Sequence, residues 1–222
     1  MNKNVRCGND VSLIWLFIRS VYYRVFLPCA LFFAVITLFV VFSTSAESYL
    51  YTSDYFLLAM LWMFIILPLS FRYISIKVRD KKLHKISSLL KSDSRFSPQA
   101  NHEIFSASKG KYLGIDTKRG TILYVHMLKK GVIDVIGLNM GSWTNVELEG
   151  SALRIYIPDP DLPMLSITAP PAVASNLYNT LGAMSHKAYS ESCPDEPWPL
   201  HVARQSKFIE FEHKVMVPQA VA

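Results

Sequence analysis

The sequence predicts an α+β protein in which a two-helix transmembrane hairpin precedes a seven-stranded antiparallel β domain with a C-terminal helix. Three observations carry this reading. Two long uncharged apolar runs lie within the first 71 residues. Seven strand-length segments separated by turn residues follow between 102 and 169. A proline-initiated segment with a helical apolar stripe comes directly after them.

The first run, 25–46, holds 22 residues without a charge, and at about 1.5 Å per residue it covers the roughly 30 Å hydrocarbon core of a bilayer. Pro28 is expected in the first helical turn, where its missing N–H breaks no hydrogen bond. The second run, 55–71, has 17 uncharged residues, the short end of the spanning range. A core helix this apolar would need a much larger soluble partner than the rest of the chain supplies. Lys3, Arg6, Arg19 and Arg24 precede the first run, and Arg72, Lys77, Arg79, Lys81, Lys82 and Lys85 follow the second. The 47–54 connection carries only Glu47 and Asp54. Cationic flanks stay in the cytoplasm, so both termini are expected inside and the connection outside. A signal peptide cut after Thr44, Ser45 and Ala46 is the alternative for the first run, but its charged leader and apolar run are both too long for one. The arm 1–24 contains an apolar stretch, 11–18, that suits a segment along the inner interface or extra turns of the first helix.

Charge separates the two parts of the chain. Residues 1–100 hold twelve Lys and Arg against five Asp and Glu, whereas 101–222 hold eleven against twelve. The formal net charge of +6 is therefore a juxtamembrane feature, with anionic headgroups as its natural partner and no nucleic acid required. Arg72, Lys77, Arg79, Lys81, Lys82 and Lys85 are the expected membrane-surface residues. Cys7, Cys29 and Cys193 are far apart and form neither a disulfide framework nor a metal-ligand pattern.

The stretch 72–98 reads as a basic amphipathic helix and a linker. Ile76, Leu83 and Leu90 recur seven apart with Ile86 between them, a seam that lies on the membrane surface or on the domain, or else pairs two copies as a short coiled-coil homodimer. The β domain with its helix spans 99–190. Its strands are expected at 103–108, 111–117, 121–128, 132–138, 142–148, 152–157 and 164–168. Short glycine-containing connections make neighbouring strands antiparallel. Leu153, Ile155 and Ile157 alternate onto one face, as do Leu123, Val125 and Met127, so each strand is expected to bury one face. In 171–189, Val173, Leu177, Leu181 and Met184 form one helical stripe after paired prolines. Seven antiparallel strands followed by a helix are the element order of a pleckstrin-homology-like (PH-like) domain. The tail 191–222 opens Pro-rich and ends in KFIEFEHKVMV, which could pair as an edge strand; the sequence does not place it.

Chemistry is sparse. Six histidines are scattered without ligand spacing, and Lys109-Gly110-Lys111 with Gly114 lacks the Gly-Lys-Ser/Thr ending of a phosphate loop and reads as a hairpin turn. No cofactor, metal or catalytic constellation is expected. Asp159 and Asp161 sit together in IPDPDLP, either as turn residues or as a pair of carboxylates that binds a cation or a basic partner. Trp143 is the domain's most prominent aromatic, as a core or rim anchor or a binding residue.

Taken together, the arm MNKNVRCGNDVSLIWLFIRS, the hairpin, and the domain sequences KYLGIDTKRGTILYVHMLKKGVIDVIGLNMGSW and LRIYIPDPDLPMLSI resemble the ExcA family of surface (entry) exclusion proteins from IncI-type conjugative plasmids. The resemblance implies a non-enzymatic, multi-pass protein of the bacterial inner membrane. Such proteins stop a cell that holds the plasmid from receiving it again, with a TraY-like conjugation-apparatus membrane protein as partner. It assigns no site residue. A membrane-anchored PH-like adaptor that binds lipid or protein is the reading that the residues alone leave open.

Overall fold

A computed structural model of the protein describes residues 17–18, 20–43, 52–129, 131–190 and 195–218. Most of the arm, the connection up to residue 51, Cys7, Cys193 and the first part of the Pro-rich tail lie outside the described residues. The chain divides into two compact units between Ser75 and Ile76.

In the N-terminal unit a π-helical turn, Tyr22–Phe26, leads into α1, Leu27–Ser43, and α2, Thr52–Leu90, begins there and runs on past Ser75 into the C-terminal unit. Two helical stretches, Tyr22–Phe39 and Leu58–Leu90, are long and apolar enough to cross a membrane. Pro28 is not in the opening turn. Helical residues already occur at 17, 18, 20 and 21, and the backbone widens just before the proline, with the Leu27 N–H reaching back to the Tyr22 carbonyl. A ring without an N–H cannot continue a regular ladder, and a π turn absorbs the defect.

Pro68, inside α2, creates a second such defect. Its missing N–H would have served the Phe64 carbonyl four residues back. The Tyr22 hydroxyl donates to that same carbonyl at 2.8 Å, so one helix supplies the hydrogen bond that a proline in the other removes. Small residues let the backbones approach: Ala30 and Ala34 are buried with Ile65, against Leu27, Leu61 and Trp62. Tyr22→Phe should cost the hairpin roughly 0.6–1.7 kcal/mol. In a Pro68→Ala background the new N–H takes over the carbonyl, and the same substitution should cost almost nothing. A double-mutant cycle read by reversible unfolding in bicelles checks this. Equal costs in both backgrounds would refute the pairing of Tyr22 with the proline defect.

The C-terminal unit contains all seven expected strands: β1 Glu103–Ser106, β2 Lys111–Asp116, β3 Thr121–Lys129, β4 Val132–Leu138, β5 Asn145–Glu149, β6 Ala152–Tyr156 and β7 Met164–Thr168. All pairings are antiparallel and sequential, in a four-stranded sheet β1-β2-β3-β4 and a three-stranded sheet β5-β6-β7. Gly110, Gly120, Gly131 and Gly150 adopt positive φ in the four tight hairpins. β5 starts three residues later than expected, because the Asn139 side chain accepts hydrogen bonds from Ser142 and the Gly141 N–H and holds that stretch as a turn. Helix α3, Pro171–Ser185, buries Ala174, Leu177, Leu181 and Met184. They join Leu113, Ile115, Ile122, Leu153, Ile155 and Ile167 in the core that both sheets share.

One expectation is corrected here, and two points that the sequence left open are decided. The strands of the first sheet bury both faces: Ile122 and Tyr124 face the shared core, while Leu123 and Val125 belong to a second core. The apolar seam of the basic helix lies in that second core, with Leu83, Ile86 and Leu90 buried beside Tyr112, Ile133 and Val135. It is unavailable to a coiled coil. The tail is not an edge strand. It forms helix α4, Trp198–His213, which buries Trp198, Val202, Ser206 and Ile209 at helical spacing. Only Met216 bridges to Val132, just beyond it. Gly137 makes room for α4, since a Cβ there would lie 2.5 Å from a Val202 methyl.

Candidate recognition site

At one end of the sheets the segment after α2, the β2–β3 turn, the β4–β5 loop, the residues after α3 and the start of α4 converge. Asp116, at the end of β2 and 1 % exposed, is the hub. Its carboxylate accepts the Ser97 and Lys118 backbone N–H groups at 2.9 Å and the Arg119 N–H at 3.3 Å, and it pairs with the Arg119 guanidinium at 3.2 Å. Arg119 also donates to the Ser94 carbonyl at 2.9 Å and to the Asp93 carbonyl. A buried carboxylate surrounded by this many donors is satisfied, so burial does not count against it.

A second carboxylate closes the other side. Glu196 meets Arg204 at 2.8 Å and both Arg95 and His201 Nδ1 at 3.1 Å. Partial burial would raise its pKa, but the His201 hydrogen bond and the charges of Arg204, His201 and Arg95 outweigh that and hold the carboxyl below its usual range. Arg95 also donates to the Glu196 carbonyl at 2.8 Å. Trp198 stacks on Phe96 with centroids 5.1 Å apart and donates from Nε1 to the Ile122 carbonyl at 2.9 Å.

Between these clusters lies a cavity of about 130 Å³ bordered by Arg95, Arg119, Met140, Tyr189, Glu196 and Trp198. Tyr189 closes one wall: its hydroxyl donates to the Thr117 carbonyl at 3.0 Å, and its ring lies so near Gly120 that a Cβ there would be 2.6 Å away. The volume is below the roughly 300–1,000 Å³ of small-molecule sites. It has room for about one side chain. The guanidinium groups and carboxylates around it are held in place by one another, which makes a preformed rim of mixed charge.

The structure does not bring the residues singled out from the sequence to this cavity. Trp143 is half-buried and packs on the shared core, with its ring N–H buried and unpartnered among the described residues. Asp159 folds onto its own loop: its carboxylate accepts the Asp161 N–H at 2.8 Å and its carbonyl accepts the Leu162 N–H at 3.2 Å, as turn residues do. All six juxtamembrane cations lie on α2. Arg72 sits over the Tyr23 ring, 4.9 Å from its centroid, and Lys85 pairs with Glu212 at 2.7 Å. Lys81 and Lys77 are exposed, and Arg79 and Lys82 are half-buried. The cavity residues gave little signal because they are drawn from five separate segments, none with a recognisable motif. His126, in register with Lys111, has a pKa lowered to about 4, by burial first and then by the Lys111 charge. It is neutral near pH 7.

Comparison with curated proteins and with solved structures gives no match. The family model described as Exclusion-determining protein matches residues 5–221, nearly the whole sequence. The chain belongs to the Exclusion-determining protein family.

Proposed function

We propose that this protein is a surface exclusion protein of the bacterial inner membrane, which blocks redundant conjugative transfer by recognising a TraY-like membrane protein of the conjugation apparatus. The family match over 5–221 is the observation that carries the reading. Two helices long enough to span and the Lys/Arg flanks support a multi-pass anchor with both termini in the cytoplasm. The basic face of α2 meets anionic lipid, and any homodimer uses a surface other than the buried Leu83–Ile86–Leu90 seam. Four- and three-stranded antiparallel sheets followed by a helix favour a PH-like domain in which the rim of the end cavity is the contact surface. Binding energy spread over such a rim needs no catalytic group.

A mating assay tests the proposal. Recipients making this protein alone should receive a related IncI-type plasmid at a frequency lower by orders of magnitude than empty recipients, and an unrelated plasmid at unchanged frequency. Equal frequencies for both plasmids, whether reduced or not, would favour a general membrane adaptor.

A further inference from the structure

Helix α4 has two apolar faces. One, carrying Trp198, Val202 and Ile209, is buried on the first sheet. On the opposite side Leu200, Phe208 and Phe211 are 60 %, 65 % and 89 % exposed. At about 100° per residue, Leu200, Arg204, Lys207, Phe208 and Phe211 fall within a stripe of roughly 100°. Two bare phenylalanines one turn apart on a packed helix are unusual for a surface in water.

The charges beside them are unequal in their freedom. Glu212 is taken by Lys85 at 2.7 Å, and Glu210 accepts the Val217 N–H at 2.6 Å. Lys207 and Lys214 are exposed, and neither has an ion pair among the described residues. The patch therefore presents aromatic rings flanked by free cations, its nearby anions being satisfied within the protein. On the neighbouring helix Leu89, one turn beyond the Lys85 that pairs with Glu212, is 46 % exposed.

We infer that the outer face of α4 docks on an anionic lipid surface, with Phe208 and Phe211 entering the headgroup boundary and Lys207 and Lys214 pairing with lipid phosphates. Aromatic insertion combined with basic flanks is how helices bind such interfaces. A chain that also carries two membrane-spanning helices keeps a bilayer at high local concentration, so weak docking suffices. A protein partner would face unsatisfied lysines unless it were acidic, whereas an anionic bilayer matches both the rings and the charges. The inference rests on the membrane-anchored reading and adds a second membrane contact, separate from the basic residues of α2.

The test uses the full-length chain with Cys7, Cys29 and Cys193 changed to serine. An environment-sensitive fluorophore is attached at Phe211→Cys, at Phe39→Cys within the first span, or at Ser185→Cys at the exposed end of α3. The proteins are placed in phosphatidylcholine vesicles with or without phosphatidylglycerol. With phosphatidylglycerol the 211 probe should shift to the blue, be quenched by spin-labelled lipid and resist aqueous iodide, while the 185 probe stays accessible. Lys207→Gln and Lys214→Gln should each lower the docked-to-undocked ratio about fivefold. A 211 probe as open to iodide as the 185 probe, beside a lipid-quenched 39 probe, overturns this inference and leaves the anchor intact. Loss of quenching at 39 as well overturns both. Protection at 211 that is equal in pure phosphatidylcholine and rises with protein density would assign the face to a second copy and overturn lipid docking.

Discussion

Asp116→Ala should destabilise the C-terminal unit by about 3–5 kcal/mol, the cost of breaking a buried and fully partnered ionic group. Asp116 is 1 % exposed, and its removal leaves the Ser97, Lys118 and Arg119 N–H groups without their acceptor and the Arg119 guanidinium with only the Ser94 and Asp93 carbonyls. These donors are part-buried, so each one left unpaired contributes about 1 kcal/mol, the lower end of the cost of a lost buried partner. Asp116→Asn should recover only part of the loss, because its NH2 group turns a donor toward an N–H that needs an acceptor. Urea unfolding of the detergent-solubilised protein, followed by tryptophan fluorescence, measures both variants. An alanine variant within about 1 kcal/mol of the parent would mean that water replaces these partners easily and that Asp116 is no hub.

The second large effect is expected at Trp198. Its side chain is 2 % exposed, stacks on the fully buried Phe96 and pairs with the Ile122 carbonyl. Trp198→Ala should cost about 3–5 kcal/mol, as large aromatic deletions in packed cores do. Trp198→Phe keeps the stacking and loses the hydrogen bond, so about 1–3 kcal/mol is expected. Ending the chain at Ser190 removes the whole helix and strips cover from Leu123, Val125 and Val135 on the outer face of the first sheet. That truncation should not accumulate as a folded protein. A truncated chain with the parent's unfolding midpoint would show that α4 is an accessory rather than part of the core. The same unfolding experiment settles this.

Both residues show where sequence reading stops. The strands were legible because their alternation and glycine turns are local, with each pairing between neighbours in the chain. The apolar runs were legible for the same reason. Asp116 looked like any other aspartate before a turn, since its partner Ser97 comes from a segment 19 residues away. Trp198 reaches a carbonyl 76 residues distant. The helical stripe of Trp198, Val202 and Ile209 was masked by Phe211, which with Ile209, Val215 and Val217 has the alternation of a strand, although Phe211 faces outward from a helix. Double-sided burial of the first sheet was hidden similarly, because what covers its outer face lies before and after it in sequence. Gly114 had no evident purpose in the sequence. A Cβ there would lie 2.3 Å from the Tyr112 hydroxyl and 2.9 Å from the Phe96 ring, so its reason is packing. Pro68 and Tyr22 are likewise meaningful only as a pair, across 42 residues of the chain to Phe64.

Recognition and catalysis differ in how they fail under substitution: a contact surface loses affinity in proportion to its damaged area, whereas chemistry stops with one group. The most direct measurement is therefore transfer frequency into recipients carrying variants of equal membrane abundance. Block substitution of Asn139, Met140 and Ser190, all three of which line the cavity, is compared with the single changes His102→Gln, His126→Gln, His186→Gln, Asp159→Asn and Asp161→Asn. The rim variant should admit the related plasmid at nearly the frequency of an empty recipient, while each single variant keeps excluding it. Full loss of exclusion from one of the single substitutions, with the rim variant still excluding normally, would contradict recognition by this surface.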